Sequence, residues 1–312
     1  MYSTPPWLMN DKCLSRTPRG FTLVEVLVSS AVLGLLLLSL AQVASTVADT
    51  WKSGQKRIER RQQGRAIVDF LGRELRSAAL PAHRVVLTDR ADLQFILNPS
   101  SLGREMMNPH ALFWQAPVAT NTEQGALAQV GYFVRWSGNK PFLCRLLVNP
   151  GSSDYQVYDS TRIGSWMNTG IANSATPTAE NGWAGLFAEN VLGFWVRCLD
   201  RNGAAIQQSD QVLYDSRVSY TSTVEGVPIS YPAPVLPFSV EVSIVTVDSR
   251  TASHIDSDVK SAILALVAEP GTINAAAFVS ALPERAAAQK KLVPILRGAV
   301  PHQIQVYMEN AP

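Results

Sequence analysis

The stretch "FTLVEVLVSSAVLGLLLLSLAQV", residues 21–43, decides how the chain is read. As a helix rising 1.5 Å per residue it spans about 35 Å, enough to cross a ~30 Å hydrocarbon layer with some tilt. One residue breaks the apolar pattern. Glu25 sits one turn inside the run, where a charged side chain costs roughly 2.5–3.5 kcal/mol on insertion scales. An acid in that place points to a function and calls for a group that neutralises it.

The residues before it, "MYSTPPWLMNDKCLSRTPRG" at 1–20, set Lys12, Arg16 and Arg19 against Asp11, hold three prolines and stop at a glycine. They read as a short basic leader. A secretory signal also places basic residues before an apolar run, but its apolar region is about 7–15 residues long and ends at a small-residue cleavage site. This run is longer, and its acid lies at the wrong end. On the far side stand Lys52, Lys56, Arg57, Arg60 and Arg61, so a count of basic residues does not by itself place the N-terminus inside. The leader decides the orientation, and those five residues fall on a helical extension facing water or partner subunits.

A basic leader, then Gly20, then Phe21 as an apolar first residue, then Glu25 at the fifth position resembles the type III signal of prepilins and pseudopilins. The resemblance implies that a prepilin peptidase cuts between Gly20 and Phe21 on the cytoplasmic side and methylates the new amine of Phe21. That amine then meets the Glu25 carboxylate of a neighbouring subunit as helices pack side by side. A carboxylate in a first helical turn also faces unpaired amides and the positive end of the helix dipole.

Beyond the apolar run, "WKSGQKRIERRQQGRAIVDFLGRELRSAAL" places Trp51, Ile58, Ile67, Phe70, Leu71, Leu75 and Ala78 mostly at helical spacing. The spacing predicts one helix over 21–80, membrane-spanning at 21–43 and a stalk at 44–80, ended by Pro81. Its second half should pack on a sheet, since a lone apolar stripe needs a partner surface. Residues 81–312 read as an α+β head. Strands are expected at "DLQFIL", "ALFWQA", "VGYFVRW", "FLCRLLV", "VLGFWVRCLD" and "FSVEVSIVTVD", the last with Val240, Val242 and Ile244 on one face. "GSSDYQ" and "NTGIANSATPTAENG" read as loops, and "GVPISYPAPVLP" as a proline-rich approach to a strand. Helices in "HIDSDVKSAILALVAEP" and "TINAAAFVSALPERAAAQKKLVPIL" precede a last strand, "HQIQVYME". The fold class is thus α+β, a long N-terminal helix packed on an antiparallel sheet.

The order "AENVLGFWVRCLDRNG" then "LPFSVEVSIVTVD" is similar to the J-type minor pseudopilins of type II secretion. Closer still is the likeness to the cassette C family of prepilin-like proteins known from Verrucomicrobia, carried by "HALFWQAP", "GYFV", "AENV", "YDSR" and the "LP..VEV..V.VD" strand in this order. The segment after Asp248 is longer than in a J-type pseudopilin.

The bulk numbers exclude little but exclude it clearly. A formal net charge of +2 over 312 residues implies no nucleic-acid partner and no acidic substrate. The basic run of the stalk reads as a solvated helix flank. Of the three cysteines, none forms a C-x-x-C pair; Cys144 and Cys198 could join in one disulfide if exported, but two buried thiols is the simpler reading. There is no G-x-S-x-G elbow, P-loop, H-E-x-x-H or dinucleotide turn, and His83, His110, His254 and His302 are scattered. Asp256 and Asp258 lack the spaced donors of a calcium loop and read as a helix start. The tryptophans, Trp114, Trp136, Trp166, Trp183 and Trp195 among them, suit core and interface packing.

No enzyme, cofactor or metal is expected. The chain reads as a minor pseudopilin-like subunit of a pilus or pseudopilus-type fibre or its tip, serving secretion, with prepilin peptidase and other pseudopilins or pilins as partners. It would cross the inner membrane once and hold its head in the periplasm. The alternative is a membrane-anchored binding module that uses the pilin-type signal only as an anchor, its aromatic head capturing a polymer or exported protein.

Overall fold

The computed structural model describes residues 20–80, 93–155, 166–176 and 185–309. The expected leader residues 1–19, with Cys13, lie outside them, as do His83, Trp183 and the stop at Pro81. Contacts divide the chain into two units, residues 1–56 and 57–312.

Among the described residues of the first unit the secondary structure is helical. Helix α1 runs Leu23–Arg76, crossing the division, and its segment Leu23–Ala48 has a mean hydropathy of 2.4 with none of its residues buried within the chain. That segment is long and apolar enough to span a membrane, five residues further than the expected limit of 43. Several of its hydroxyls are satisfied within the helix: Ser29, Ser39 and Thr46 each donate to the carbonyl four residues back, at 2.7, 2.9 and 2.9 Å. Such back-bonding satisfies polar side chains where lipid offers no partner.

In the second unit the α1 residues Gly64, Ile67, Val68, Leu71, Gly72 and Leu75 are buried at spacings of three and four, as is Ala78 just past the helix, with Arg65, Asp69, Arg73 and Arg76 exposed between them. The helix ends at Arg76, four residues before the expected 80. Ser77 closes it by donating from Oγ to the Glu74 carbonyl at 2.7 Å.

Among the described residues eleven strands build three antiparallel sheets. The largest is ordered β5-β4-β3-β2-β1-β7: β1 Ile96–Leu97, β2 Ala111–Ala116, β3 Ala128–Ser137, β4 Lys140–Val148, β5 Gly185–Glu189 and β7 Tyr214–Asp215. The second, β11-β10-β6, joins β6 Val191–Leu199, β10 Ser239–Thr246 and β11 Val300–Tyr307. The third is a hairpin, β8 Tyr220–Val224 with β9 Val227–Tyr231.

The core lies where the first two sheets face each other. Trp114, Tyr132 and Leu143 from one meet Phe194, Val196, Val242 and Ile244 from the other, and Ile67, Leu71 and Leu75 of α1 join the same cluster. Val240, Val242 and Ile244 share one face as the alternation predicts. The outer face of the large sheet, Phe113, Phe133 and Leu146, is covered by Met106, Trp166 and Ile171. The outer face of the smaller one is covered by helices α3 Ser249–Ala252, α4 Ser257–Val267, α5 Ala275–Ala288 and α6 Val293–Gly298.

Differences from the sequence reading are local. "DLQFIL" pairs only over Ile96–Leu97, and its Asp92 lies outside the described residues. "NTGIANSATPTAENG" contains a short helix α2, Thr169–Ala172, capped by the Asn168 side chain, while its end lies outside the described residues. "GVPISYPAPVLP" supplies β9, because Glu225 and Gly226 both take positive φ (52° and 83°) and make the two-residue turn that right-twisted hairpin strands require. Asp256 caps α4, accepting from the Val259 amide at 2.8 Å, as a helix start should.

Candidate functional site

The N-terminal candidates occupy the start of α1. Gly20 and Phe21 precede the helix, and the Phe21 side chain is 81% exposed. Thr22 stands at the cap: its Oγ1 accepts from the Glu25 amide at 3.2 Å, and its carbonyl accepts from the amides of Glu25 and Val26 at 3.0 and 3.2 Å. The T-x-x-E spacing thus fixes where the helix begins and sets Glu25 in its first turn, exposed, with no basic partner among the described residues. Chemically this is an uncovered carboxylate beside an exposed aromatic residue, at the head of an apolar helix.

In the second unit a polar group that the sequence reading missed pins α1 to the large sheet. Glu74 (7% exposed), Arg145 (5%) and Tyr132 (0%) meet inside the core. Arg145 grips the carboxylate with both arms of its fork, Nη2 to Oε1 at 2.5 Å and Nε to Oε2 at 3.1 Å, and Nε also reaches the Tyr132 hydroxyl at 3.1 Å. Tyr132 donates its own hydroxyl proton to Glu74 Oε2. Phe70 closes the site, its ring 5.8 Å from the Arg145 guanidinium carbon and 5.2 Å from the Phe187 ring. Burial and the Glu74 charge push the Tyr132 hydroxyl well above its ordinary range; on Arg145 burial is the largest influence and pulls down, but the hydrogen bonds and charges of Glu74 and Tyr132 together outweigh it, and the net shift is upward. Both groups hold their usual protonation, so the cluster is a clamp and not an acid–base pair. One sign of it was in the sequence: Arg145 interrupts the apolar strand "FLCRLLV", and a cation there needs a buried anion.

The other candidates do not converge. Cys144 and Cys198 are free thiols in different clusters, Cys144 on the outer face of the large sheet and Cys198 between the sheets. This corrects the disulfide option: each side chain sits in a separate layer. Burial pushes the Cys144 thiol up to about 12 and the Cys198 thiol higher, so neither is a nucleophile. Asp256 and Asp258 are joined by Lys291, whose Nζ lies 3.5 and 2.6 Å from them, and among the described residues no three His, Cys, Asp or Glu could hold a metal ion. Trp114, Trp166 and Trp195 are core residues. His254 is exposed, and His302 lies on β11 beside Thr246 Oγ1 at 3.1 Å. His110 lines a cavity of about 390 Å³ beside β6.

Against known proteins, the model of the prokaryotic N-terminal methylation motif matches residues 15–41, which contain Gly20, Phe21, Glu25 and the first part of the apolar helix. No curated protein and no solved structure matches the chain. The match identifies a type IV pilin-like signal, the mark of a pilin- or pseudopilin-like precursor that prepilin peptidase processes and that assembles with other pilins. With the apolar helix it indicates membrane anchoring, and the signal belongs to structural rather than enzymatic proteins.

Proposed function

We propose that the chain is a minor pseudopilin-like structural subunit, cut by prepilin peptidase between Gly20 and Phe21, N-methylated at Phe21, and assembled into a pilus or pseudopilus-type fibre or its tip, serving secretion. The observation that carries the reading is the motif match at 15–41 together with a predominantly apolar 26-residue helix segment, Leu23–Ala48, in which no residue is buried inside the chain. Apolar surface of that extent asks for lipid before assembly and for neighbouring helices after it. In this reading the head is periplasmic, the anchor crosses the inner membrane once, and the head is not catalytic.

Glu25 then pairs with the Phe21 amine of a neighbouring subunit. Before the cut Phe21 carries an uncharged peptide nitrogen; after it, a cation stands four residues from the acid on every helix. Sequence likeness in the head favours the verrucomicrobial cassette C group over the J-type secretion subunits, because the order of its short motifs continues through most of the chain. N-terminal mass spectrometry of the native protein tests the proposal. A chain starting at methylated Phe21 is expected, and one starting at Met1 rejects it. Glu25→Ala should leave cleavage intact and deplete the subunit from fibres.

A further inference from the structure

Strand β6 is an outer strand of its sheet, and its free edge is met by chain from two directions. From one side the Phe194 amide donates to the Asn108 carbonyl at 2.9 Å, the His110 amide to the Phe194 carbonyl at 3.2 Å, and the Val196 amide to His110 Nδ1 at 2.8 Å. From the other side the Ile206 amide donates to the Cys198 carbonyl at 2.8 Å and the Asp200 amide to the Ala204 carbonyl at 2.9 Å. The N–H and C=O of one strand residue point to the same side of the strand. The Val196 carbonyl and the Cys198 amide therefore face this edge too, and no described group pairs with either. The cavity of about 390 Å³ opens at that gap.

We infer that this cavity takes a short, extended, uncharged peptide segment of another polypeptide, held by main-chain pairing to the Val196 carbonyl and the Cys198 amide. An acceptor and a donor flanking one residue, here Arg197, are what a single residue of a parallel strand satisfies. The chain already uses that pattern one step away, where the Asn108 carbonyl and His110 amide flank Pro109 and together hold Phe194. Addition of a strand to an exposed edge draws its affinity from such main-chain bonds and its selectivity from side-chain pockets.

The lining says what kind of segment. Its charged residues are already neutralised, Arg197 by Glu241 at 3.3 Å and Glu269 by Arg285. His110 stays uncharged, because burial pushes it down to about 4, and with Nδ1 accepting from Val196 its proton sits on Nε2, a further donor for a carbonyl. Leu97, Ile206, Leu213, Val267 and Ile273 supply apolar walls. The volume lies in the ~300–1,000 Å³ range of ligand pockets, room for a few residues. The site stands whether or not the leader is cut.

The test uses the full chain in detergent micelles, isotope-labelled, titrated with the tripeptide acetyl-Val-Ala-Val N-methylamide. Saturable shifts of the Cys198 amide and of the His110 ring signals are expected. The same peptide methylated on its central amide nitrogen should bind at least tenfold more weakly. Ala205→Trp, at an exposed rim position, should abolish the shifts while leaving the rest of the spectrum in place. Absence of saturable shifts, equal binding of the methylated peptide, or undiminished binding to Ala205→Trp each overturns the inference.

Discussion

Two stretches of one helix, Leu23–Ala48 and residues 64–76, obey the same local rules and arrange their apolar surface in opposite ways. In the first, apolar side chains point in every direction: Val24, Leu27, Val32, Leu35, Leu36 and Leu38 are all exposed in the isolated chain. In the second, apolar residues keep to one stripe and charged ones fill the remainder. An apolar circumference asks for apolar surroundings on all sides, whereas a stripe asks for a single surface, which the sheets supply. The glycines show the same contrast. A Cβ on Gly34 would meet nothing within 4 Å, whereas one on Gly64 would stand 2.1 Å from His302 Nε2 and one on Gly72 2.9 Å from Ile304 Cδ1. In the second stretch glycine is there to let β11 come close.

The largest effect should come from breaking the clamp. Arg145→Ala leaves Glu74 as a buried, unpaired anion, and removing one partner of such a pair costs about 3–5 kcal/mol. Denaturant unfolding of the full chain in micelles, followed by tryptophan fluorescence, would read it; a loss under 1 kcal/mol would show that the clamp does not hold the helix. Next comes a matched pair of truncations. Leu71→Ala, at a position with no exposure, should cost roughly 2–5 kcal/mol in the same measurement. Leu36→Ala, 62% exposed, should leave head stability unchanged and act on membrane partitioning instead.

A third comparison uses the glycines. Helix propensity favours Ala over Gly by about 1 kcal/mol, and overpacking costs about 1–3 kcal/mol. Gly64→Ala should therefore be a net loss on the order of 1 kcal/mol, since the contact is with a ring rather than the far end of a flexible chain. Gly34→Ala should leave head stability as it is. Equal behaviour of the two variants would mean that the close approach to His302 carries no weight.

How much of this was legible depended on what each residue needs. The apolar helix, its acid at position 25 and the glycine before Phe21 were readable because hydropathy and motif order are properties of consecutive residues. Strand β10 was readable through the alternation of Val240, Val242 and Ile244, and α4 through its Asp256 cap. Hairpin β8–β9 was hidden because Val227, Ile229 and Tyr231 alternate over only five largely exposed residues, with Pro228 among them and prolines following at once, so the stretch read as a loop. The clamp was hidden because its partners are 71 residues apart: Arg145 in its apolar strand asks for an anion, but Glu74 alone looks like a surface charge of the helix and nothing in the sequence joins the two. Edge geometry at Val196 and Cys198 belongs to the backbone, which no side-chain pattern records.

The smallest expected effect concerns the pH dependence of the docked stretch. His302, packed at Gly64, has its pKa lowered from 6.5, first by burial and then by the charge of Arg61. In the unfolded chain the ring protonates at its ordinary value, so between that value and the folded one the unfolded state binds more protons. The stabilising difference is complete above pH 6.5 and is lost as pH falls below it. His110, also lowered, contributes in the same direction, but it is common to wild type and to His302→Gln and cancels in their difference. Gln can keep the contact with Thr246 Oγ1 without titrating. Between pH 7 and pH 5 the wild type should lose more unfolding free energy than His302→Gln; parallel curves would show that protonating His302 does not disturb the seat of the helix on β11.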